Sequence, residues 1–341
     1  MNKVLQILNL TVAYQKGLIS DENYKSMLEY AEILYAKDLP IIYNLRHLRK
    51  ALRIRKWEQD YFFGNLREKN YYSFFIPKKS GKWRKIEAPN DRLKEIQSWI
   101  KEQILEKLEI SECAKGFRKS VNILDNAIQH TNKKVVINID LKDFFPSIKY
   151  SQVFKVFYYA GYTKGVSHLL TKLCTNAENI LPQGAPTSPI LSNIVCYKLD
   201  KRLNSLSQKL GADYSRYADD ITISGDQNIV DNLSLIRRII NEENFTINED
   251  KFRVLFSNGR QVVTGLTVNK KVSVDKKLIR ELENAIYYIK KYGLADHMQH
   301  IECDKSFYKE HIFGIAYYTY MIDKDKGQNY INQLNQLEWD A

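Results

Sequence analysis

Apolar and polar positions change their spacing several times along the chain, and each change predicts an element. Residues 1–60 carry apolar side chains at helical spacing, and Asp21 is the predicted N-cap of a helix within them. Residues 72–76 and 83–86 are short strand-like runs around a turn rich in cations, which predicts a β-hairpin. A helix is predicted to follow over residues 91–108.

Two later strand patterns end in carboxylates. The β-branched, apolar residues 135–139 predict a buried strand that delivers Asp140 at its C-terminal end. Residues 213–224 predict two short strands whose tight turn contains Asp219 and Asp220. We therefore expect an acidic hairpin tip and an acidic strand end.

The C-terminal half is predicted to be largely helical. Loop 181–189 leads into a helix, with Ser188 as its predicted N-cap and Pro189 as its first residue. The last 70 or so residues form a helical region rich in tyrosine. Helix packing and stacking on RNA both fit these tyrosines, and we expect packing for most of them: Tyr287, Tyr288, Tyr292, Tyr317, Tyr318 and Tyr320.

The composition indicates a protein with a substantial core, because 44% of its 341 residues are hydrophobic. No apolar stretch approaches the ~18 residues of a membrane span, and the N-terminus lacks the pattern of a signal peptide. We therefore expect a soluble, cytoplasmic protein without membrane contact. The four cysteines are far apart with no CxxC pair, so reduced thiols are expected at Cys113, Cys174, Cys196 and Cys303.

The net charge of +12 is concentrated in the N-terminal part of the chain. Residues 1–135 hold 26 Lys and Arg against 16 Asp and Glu, whereas residues 266–341 hold 11 of each kind. The densest part, residues 46–56, predicts a basic amphipathic helix with six cations and no acid. Such a helix suits a phosphate backbone, although an ordinary solvated face fits as well. The candidate contacts are Arg46, Arg49, Arg53 and Lys56.

The carboxylates indicate magnesium chemistry. Asp140 and the Asp219–Asp220 pair could hold two Mg²⁺ ions, which prefer oxygen ligands and leave positions open for phosphates. An Asp-Asp pair alone is more typical of a solvated turn. Here the pair belongs to a joint pattern that chance rarely supplies. The pattern is a strand ending in Asp140 with Phe-Phe-Pro-Ser soon after it, then Pro-Gln-Gly-Ala-Pro, then Tyr-Ala-Asp-Asp.

This pattern resembles the reverse transcriptases over roughly residues 70–270. The resemblance implies an α+β, right-hand polymerase with fingers, a palm whose antiparallel sheet is flanked by helices, and a helical thumb. The implied regions are a basic helical region at 1–60, fingers at 61–135, a palm with some fingers elements at 136–265 and an RNA-binding thumb at 266–341.

The resemblance also implies roles for single residues. Asp140, Asp219 and Asp220 would ligate two Mg²⁺ ions, with a backbone carbonyl from Ile139 or Leu141. Lys251 would protonate pyrophosphate, although an exposed helix-end lysine would look identical.

Further implied residues bind the incoming dNTP. Arg84, with Lys78 or Lys79, would contact its triphosphate, unless these cations simply form an exposed turn. Phe145 would exclude a ribose 2′-hydroxyl, unless it belongs to the core. Gln183 and Gly184 would bring their backbone close to template and nucleotide.

Two further strings resemble elements of the bacterial retron reverse transcriptases. Asn126 and His130 stand in Asn-Ala-Ile-Gln-His, and Val263-Thr264-Gly265 resembles the group's Val-Thr-Gly triplet. The position of Asn126 and His130 before Asp140 suggests a role toward the RNA or its priming hydroxyl. A core or capping role is the alternative for His130.

Retron membership implies that the enzyme extends DNA from a 2′-hydroxyl within a structured noncoding RNA and makes branched RNA–DNA. The implied partners are that RNA, the RNA–DNA hybrid, dNTPs, an effector protein of an anti-phage system, and a host RNase H, because the 121 residues after Asp220 leave no room for such a domain. The alternatives are a group II intron-like or other bacterial reverse transcriptase and, more remotely, a noncatalytic RNA-binding scaffold.

Overall fold

A four-stranded antiparallel sheet carries the acidic elements that the sequence predicts. In the computed structural model, which describes residues 3–77, 81, 83–302 and 307–339, the strands are numbered in chain order. They are β1 Tyr71–Pro77, β2 Trp83–Pro89, β3 Val135–Asp140, β4 Asp213–Tyr217, β5 Asp220–Gly225, β6 Arg253–Phe256, β7 Val262–Val263 and β8 Leu266–Thr267. The sheet order is β4-β5-β3-β6, while β1 pairs with β2 and β7 with β8.

Helices make up most of the remaining described chain. The α-helices are α1 Lys3–Gln15, α2 Asp21–Ala36, α3 Leu45–Ala51, α4 Gln59–Phe63, α5 Asp91–Gln103, α6 Ile123–Ala127, α7 Phe144–Ser147, α8 Tyr150–Ala160, α9 Lys164–Cys174, α10 Ser188–Val195, α11 Tyr197–Lys209, α12 Asn228–Asp231, α13 Leu233–Glu242, α14 Lys276–Tyr292, α15 Leu294–His300, α16 Tyr308–Ile322 and α17 Lys324–Leu334. Short 3-10 helices are Lys56–Glu58, Arg67–Asn70, Leu105–Lys107, Ile128–His130 and Glu249–Lys251. The mixture confirms the predicted α+β class.

The chain divides into two compact units, each assembled from three segments. Unit 1 contains Met1–Arg118, Leu141–Leu203 and Ile236–Asn248. Unit 2 contains Lys119–Asp140, Asn204–Leu235 and Glu249–Ala341. The β1–β2 hairpin lies in unit 1, and the other six strands lie in unit 2.

The sheet of unit 2 has one mainly apolar face, which also carries the buried Arg216 of β4, and one face with several polar side chains. Side chains alternate along a strand, so Ile137 and Ile139 of β3 share a face with Ile221 and Ile223 of β5, their register partners. The opposite face carries Val136, which packs with residues of α6, β7 and β8 in a buried cluster of Ala127, Val136, Val263, Leu266 and Val268. This second face also carries the acidic strand ends.

The C-terminal helices of unit 2 have their own core. α14 contributes Leu282, Ala285, Ile286 and Ile289, and α16 and α17 complete the cluster. Tyr287, Tyr292, Tyr317 and Tyr320 lie off this apolar stripe and are exposed, so the prediction that most of the six tyrosines pack was wrong. Tyr288 and Tyr318 are half-buried.

Two predicted N-caps are displaced by one residue. The cap of α2 is Ser20, whose hydroxyl accepts a hydrogen bond from the amide of Asn23, and Asp21 is the first helical residue. A carboxylate in the first turn still favours the helix electrostatically. Likewise Thr187 precedes α10, which begins at Ser188.

The single basic helix predicted over residues 46–56 was wrong. α3 ends at Ala51, and Arg53 has a φ of 53°, a left-handed conformation that interrupts a helix. Leu48, Leu52 and Ile54 are nevertheless buried as the apolar pattern requires. The cations Arg46, Arg53 and Lys56 are exposed, whereas Arg49 is half-buried: the segment keeps a basic surface without being one helix.

Candidate active site

The catalytic candidates of unit 2 meet at the end of the central strands. β3 pairs with β5 in antiparallel register, and the last pair of this ladder joins Asp140 to Asp220. β4 returns beside β5, with Tyr217 opposite Asp220, so Ala218 and Asp219 form a two-residue turn. Ala218 has a φ of 58°, which suits such a hairpin turn but is unfavourable for a residue with a Cβ.

Polar side chains share a face of the sheet with Asp140 and Asp220, because side chains at alternate positions of a strand lie on the same face. On β5, this face carries Asp220, Thr222 and Ser224. Asn138 and Asp140 of β3 are on the same face, because they pair with Thr222 and Asp220. The three aspartates Asp140, Asp219 and Asp220 are called the acid cluster below.

Lys251 is the cation that accompanies the acid cluster. It ends the 3-10 helix Glu249–Lys251, and its Nζ donates a hydrogen bond to Oδ2 of Asp140 at 2.7 Å. This hydrogen bond, with the charges of all three aspartates, raises the pKa of Lys251. The alternative interpretation, an exposed lysine at a helix end, fits the structure only in part. The side chain is exposed, but it is paired with Asp140.

The surroundings of Asp220 oppose the ionisation of its carboxyl group. Desolvation by surrounding protein, then the negative charges of Asp219 and Asp140, raise its pKa to about 6, while Lys251 acts in the opposite direction. Because Asp220 retains an exposed surface, which limits desolvation, repulsion between the neighbouring carboxylates is an important cause of this raised pKa. Such crowding is relieved when a cation binds among the carboxylates.

The donor set fits a hard divalent cation. Carboxylate oxygens are preferred ligands of Mg²⁺, which usually keeps several waters and substrate phosphates rather than a complete protein cage. In this conformation no three or more His, Cys, Asp or Glu side chains of the described ranges are grouped so that they could hold a metal ion, and the fit of the acid cluster rests on the chemistry of its donors. Lys251 supplies the positive charge beside Asp140 in this conformation.

The backbone candidates Ile139 and Leu141 flank Asp140 and are both buried. β6 pairs with β3 only as far as Asn138, so the ladder on that side stops before Ile139. Leu141 forms an isolated bridge with Ile247. A carbonyl contribution from either residue remains a prediction.

The nucleotide-binding candidates belong to unit 1. Arg84 is exposed on β2, opposite Ile76 of β1, and the predicted hairpin is confirmed. Its neighbour Lys85 forms an ion pair with Glu87 at 3.1 Å. Lys78 and Lys79 lie outside the described residues.

Phe145 is half-buried in α7, which follows Asp143 in a left-handed conformation. Its ring centroid lies 5.4 Å from that of Phe144 and 6.0 Å from that of Phe117. Phe144 is a core residue, whereas Phe117 is exposed. Phe145 therefore lies at the border of the core with part of its surface accessible.

Gly184 is required by the strand beside it. The carbonyl of Gln183 accepts a hydrogen bond from the amide of Glu87 at 2.9 Å. Gly184 has a φ of 137°, and a Cβ at this position would lie 2.9 Å from the carbonyl oxygen of Glu87. The close approach that glycine permits here is to β2; its predicted approach to template and nucleotide remains a prediction.

The two retron-like strings come together in unit 2. Nδ2 of Asn126 lies 3.4 Å from the hydroxyl of Thr264. Thr264 has a φ of 45° and stands between Val263, which is buried, and Gly265. His130 is fully buried, and its ring nitrogens hydrogen-bond to Ser224 and Ser215. This burial favours the core alternative for His130 over direct RNA contact.

Sequence reasoning missed the buried polar residues that support the acidic hairpin. Arg216 is fully buried on β4, and its Nη1 donates to the carbonyl of Ala218 at 3.0 Å. Asn138 donates to the carbonyl of Val262 at 2.7 Å. For Asn138 the available signal was a polar residue between Ile137 and Ile139 in an otherwise apolar strand. Arg216 follows Ser215 in a largely polar strand, and no such pattern indicated its burial.

Comparison with protein families now identifies the class. The family described as "Reverse transcriptase (RNA-dependent DNA polymerase)" matches residues 76–291. The chain therefore belongs to the reverse transcriptase family, whose right-hand polymerase class was predicted.

Its relatives specify the retron type. The chain is 34% identical over 305 residues to "Retron Ec86 reverse transcriptase" of Escherichia coli, covering 88% of this chain and 91% of that protein. It is 34% identical over 304 residues to "Retron Mx162 reverse transcriptase" of Myxococcus xanthus, covering 79% of this chain and 61% of that protein. The predicted retron resemblance is confirmed.

Among solved structures, the chain resembles a telomerase from Candida albicans described in complex with a fragment of telomeric RNA. The TM-score is 0.45 at 14% identity, covering 77% of this chain and 56% of the other. The family assignment rests on the sequence matches. No helix in the described part of the chain combines the length and apolar character needed to cross a membrane.

Proposed function

We propose that this protein is an RNA-directed DNA polymerase whose acid cluster binds two Mg²⁺ ions, and that it extends DNA from a 2′-hydroxyl of a structured RNA. The observation that carries the catalytic part is the register pair of Asp140 and Asp220, with Asp219 at the adjoining turn. The family and its retron relatives support the polymerase reaction and the retron type.

The protein's own residues would position charge around the reaction. Asp140 and Asp220 hold carboxylate oxygens at adjacent strand ends, and Asp219 adds a third from the turn. When bound, the two ions would activate the attacking hydroxyl and stabilise the leaving pyrophosphate. Ile139 or Leu141 would add a carbonyl ligand.

Lys251 is proposed as the proton donor to pyrophosphate. Like other lysines it is an ammonium at neutral pH, and its hydrogen bond to Asp140, which raises its pKa further, holds the ammonium at the acid cluster. Arg84, with Lys78 or Lys79, is proposed to bind the triphosphate. Guanidinium groups match phosphate oxygens in geometry and charge.

The proposed substrates are dNTPs and a structured noncoding RNA, which becomes an RNA–DNA hybrid as synthesis proceeds. The exposed basic surface of residues 46–56 and the thumb region would contribute to binding this RNA. We propose an effector protein and a host RNase H as further partners, within an anti-phage system. The retron relatives motivate this setting.

Asp219→Asn tests the catalytic assignment. The change is nearly isosteric and removes a metal-ligating charge, so we expect normal folding and RNA binding with a loss of Mg²⁺-dependent primer extension of at least about 100-fold. Asp226→Asn is the matched control, because Asp226 is an exposed aspartate just after β5 that pairs with Lys134. Activity of Asp219→Asn within about tenfold of wild type would contradict the two-metal assignment.

A further inference from the structure

His130 connects β4 and β5, the hairpin with Asp219 in its turn and Asp220 at the start of β5. Its Nδ1 lies 2.7 Å from Oγ of Ser224 on β5, and its Nε2 lies 2.8 Å from Oγ of Ser215 on β4. All three side chains are almost completely inaccessible to solvent. The imidazole is thus hydrogen-bonded to both strands of one hairpin.

The register explains why a longer side chain is needed between the serines. Ser215 is paired with Thr222, whereas Ser224 is paired with Asp213, so the two serines are diagonal neighbours on one face. Diagonal neighbours on adjacent strands are about 7–8 Å apart, beyond the reach of two short hydroxyl side chains. An imidazole with a nitrogen on each side can hydrogen-bond to both.

The hydroxyls also make the bridge independent of the histidine tautomer. A neutral imidazole has one donor and one acceptor nitrogen, and each serine hydroxyl can rotate to donate or accept. Either tautomer therefore satisfies both serines.

The bridge lies on the face of the sheet that leads to the acid cluster. Asp220, Thr222 and Ser224 alternate on this face of β5, so the serine held by His130 is four residues from Asp220. Ser215, on β4, is four residues before Asp219 in the turn. The separation of the two strands near His130 therefore influences where the turn places its carboxylates.

We propose that His130 is a positioning residue that fixes the two strands of the acidic hairpin and thereby places Asp219 and Asp220 for catalysis. The inference rests on the proposed polymerase function. It assigns His130 a role in nucleotide addition to any primer, because His130 acts through Ser215 and Ser224 and not through the RNA.

His130→Leu tests the proposal, because leucine retains an apolar volume but cannot hydrogen-bond to the serines. On a generic annealed primer and RNA template, kcat should fall about tenfold or more, while KM for dNTP changes less than about threefold. His130→Gln, which offers an amide donor and an acceptor, should restore part of kcat. Ser224→Ala should show a milder loss and serves if His130→Leu does not fold.

Two controls separate positioning from general destabilisation. Ile128→Ala alters an exposed side chain of the same 3-10 helix and should leave kcat unchanged. Leu34→Ala removes a buried side chain of unit 1, and its folded fraction should retain its kcat despite a lower melting temperature.

Hydrogen exchange of the metal-free protein gives a readout that does not depend on activity. In His130→Leu, amides of residues 213–225 should exchange faster, while those of α14 remain protected. Unchanged exchange at 213–225, unchanged kcat in folded His130→Leu, or loss of branched product with normal generic extension would overturn the proposal. An inactive wild-type protein would refute the proposed polymerase function instead, and the exchange measurement would still decide whether His130 holds the hairpin.

Discussion

At the scale of single residues, Asp220 shows how the acid cluster opposes its own ionisation. Its pKa is raised from 3.8 to about 6 by desolvation and by the charges of Asp219 and Asp140. The folded, metal-free protein therefore binds the Asp220 proton more tightly than the unfolded chain. The cost of ionising Asp220 is fully present above pH 6 and absent below pH 3.8.

We predict that Asp220→Asn stabilises the metal-free protein at pH 7, because it removes this unfavourable charge. The gain should shrink as pH falls from 6 towards 3.8, where wild-type Asp220 is protonated in both states. Thermal unfolding in a chelator, measured across this range, tests the sign. A variant that is less stable than wild type at pH 7, or a difference independent of pH, would count against it.

Phe145 is the second residue whose surroundings give a specific prediction. Its half-buried ring retains accessible surface beside core residue Phe144, as a wall under a sugar requires. Phe145→Ala should raise ribonucleotide incorporation relative to deoxyribonucleotide by about tenfold, because it opens space for a 2′-hydroxyl. Single-nucleotide kinetics measure this ratio, with Phe313→Ala, another half-buried phenylalanine, as the control. An unchanged ratio with good activity would make Phe145 a packing residue.

At the scale of elements, the basic segment 46–56 depends on its surface charge and not on a continuous helix. Arg46, Arg53 and Lys56 are exposed, and replacing all three with Gln should weaken RNA binding. The slope of log affinity against log salt should flatten by up to about 2 units if all three contact phosphates. Lys25, Lys209 and Lys270 are exposed elsewhere and provide a triple Gln control with the same charge change. Equal slopes in both variants would indicate that the segment is an ordinary solvated surface.

The sequence predicted those elements whose pattern is local. The β-branched run before Asp140 and the β4–β5 hairpin were identified because strand periodicity and turn residues are visible in neighbouring positions. The break at Arg53 was not, because no glycine or proline signals its left-handed backbone. The caps were displaced because Ser20 and Thr187 stand beside equally suitable residues, and only backbone geometry distinguishes them.

At the scale of the whole molecule, order along the chain concealed which residues are neighbours. Asn126 and Thr264 are 138 residues apart, and His130 and Ser224 are 94 apart, yet both pairs come together in unit 2. The sequence does not show how far apart such residues are in space or whether they are buried. Asn126 and His130 could therefore be interpreted as RNA-contacting residues until the burial of His130 was known. The proximity of the three aspartates could be predicted because the motifs around them form one joint pattern along the sequence.

The division of labour across the chain remains a prediction. The fingers, palm and thumb expected at 61–135, 136–265 and 266–341 are contiguous, whereas each compact unit is built from three separate segments. The charge is distributed unequally as well, since residues 1–135 carry most of the excess cations. Electrostatic attraction to RNA is therefore expected chiefly from the N-terminal part, with the electroneutral thumb reading RNA by shape.

The retron-type function is tested most directly by the nucleic acid that purifies with the protein from cells carrying its natural locus. We predict an RNA joined to single-stranded DNA through a 2′–5′ linkage. Debranching enzyme should separate the two strands on a denaturing gel, and ribonuclease should leave DNA with only a short ribonucleotide remnant; protein with Asp219→Asn should carry the RNA without attached DNA. DNA that is insensitive to debranching and lacks any attached ribonucleotide would contradict the account.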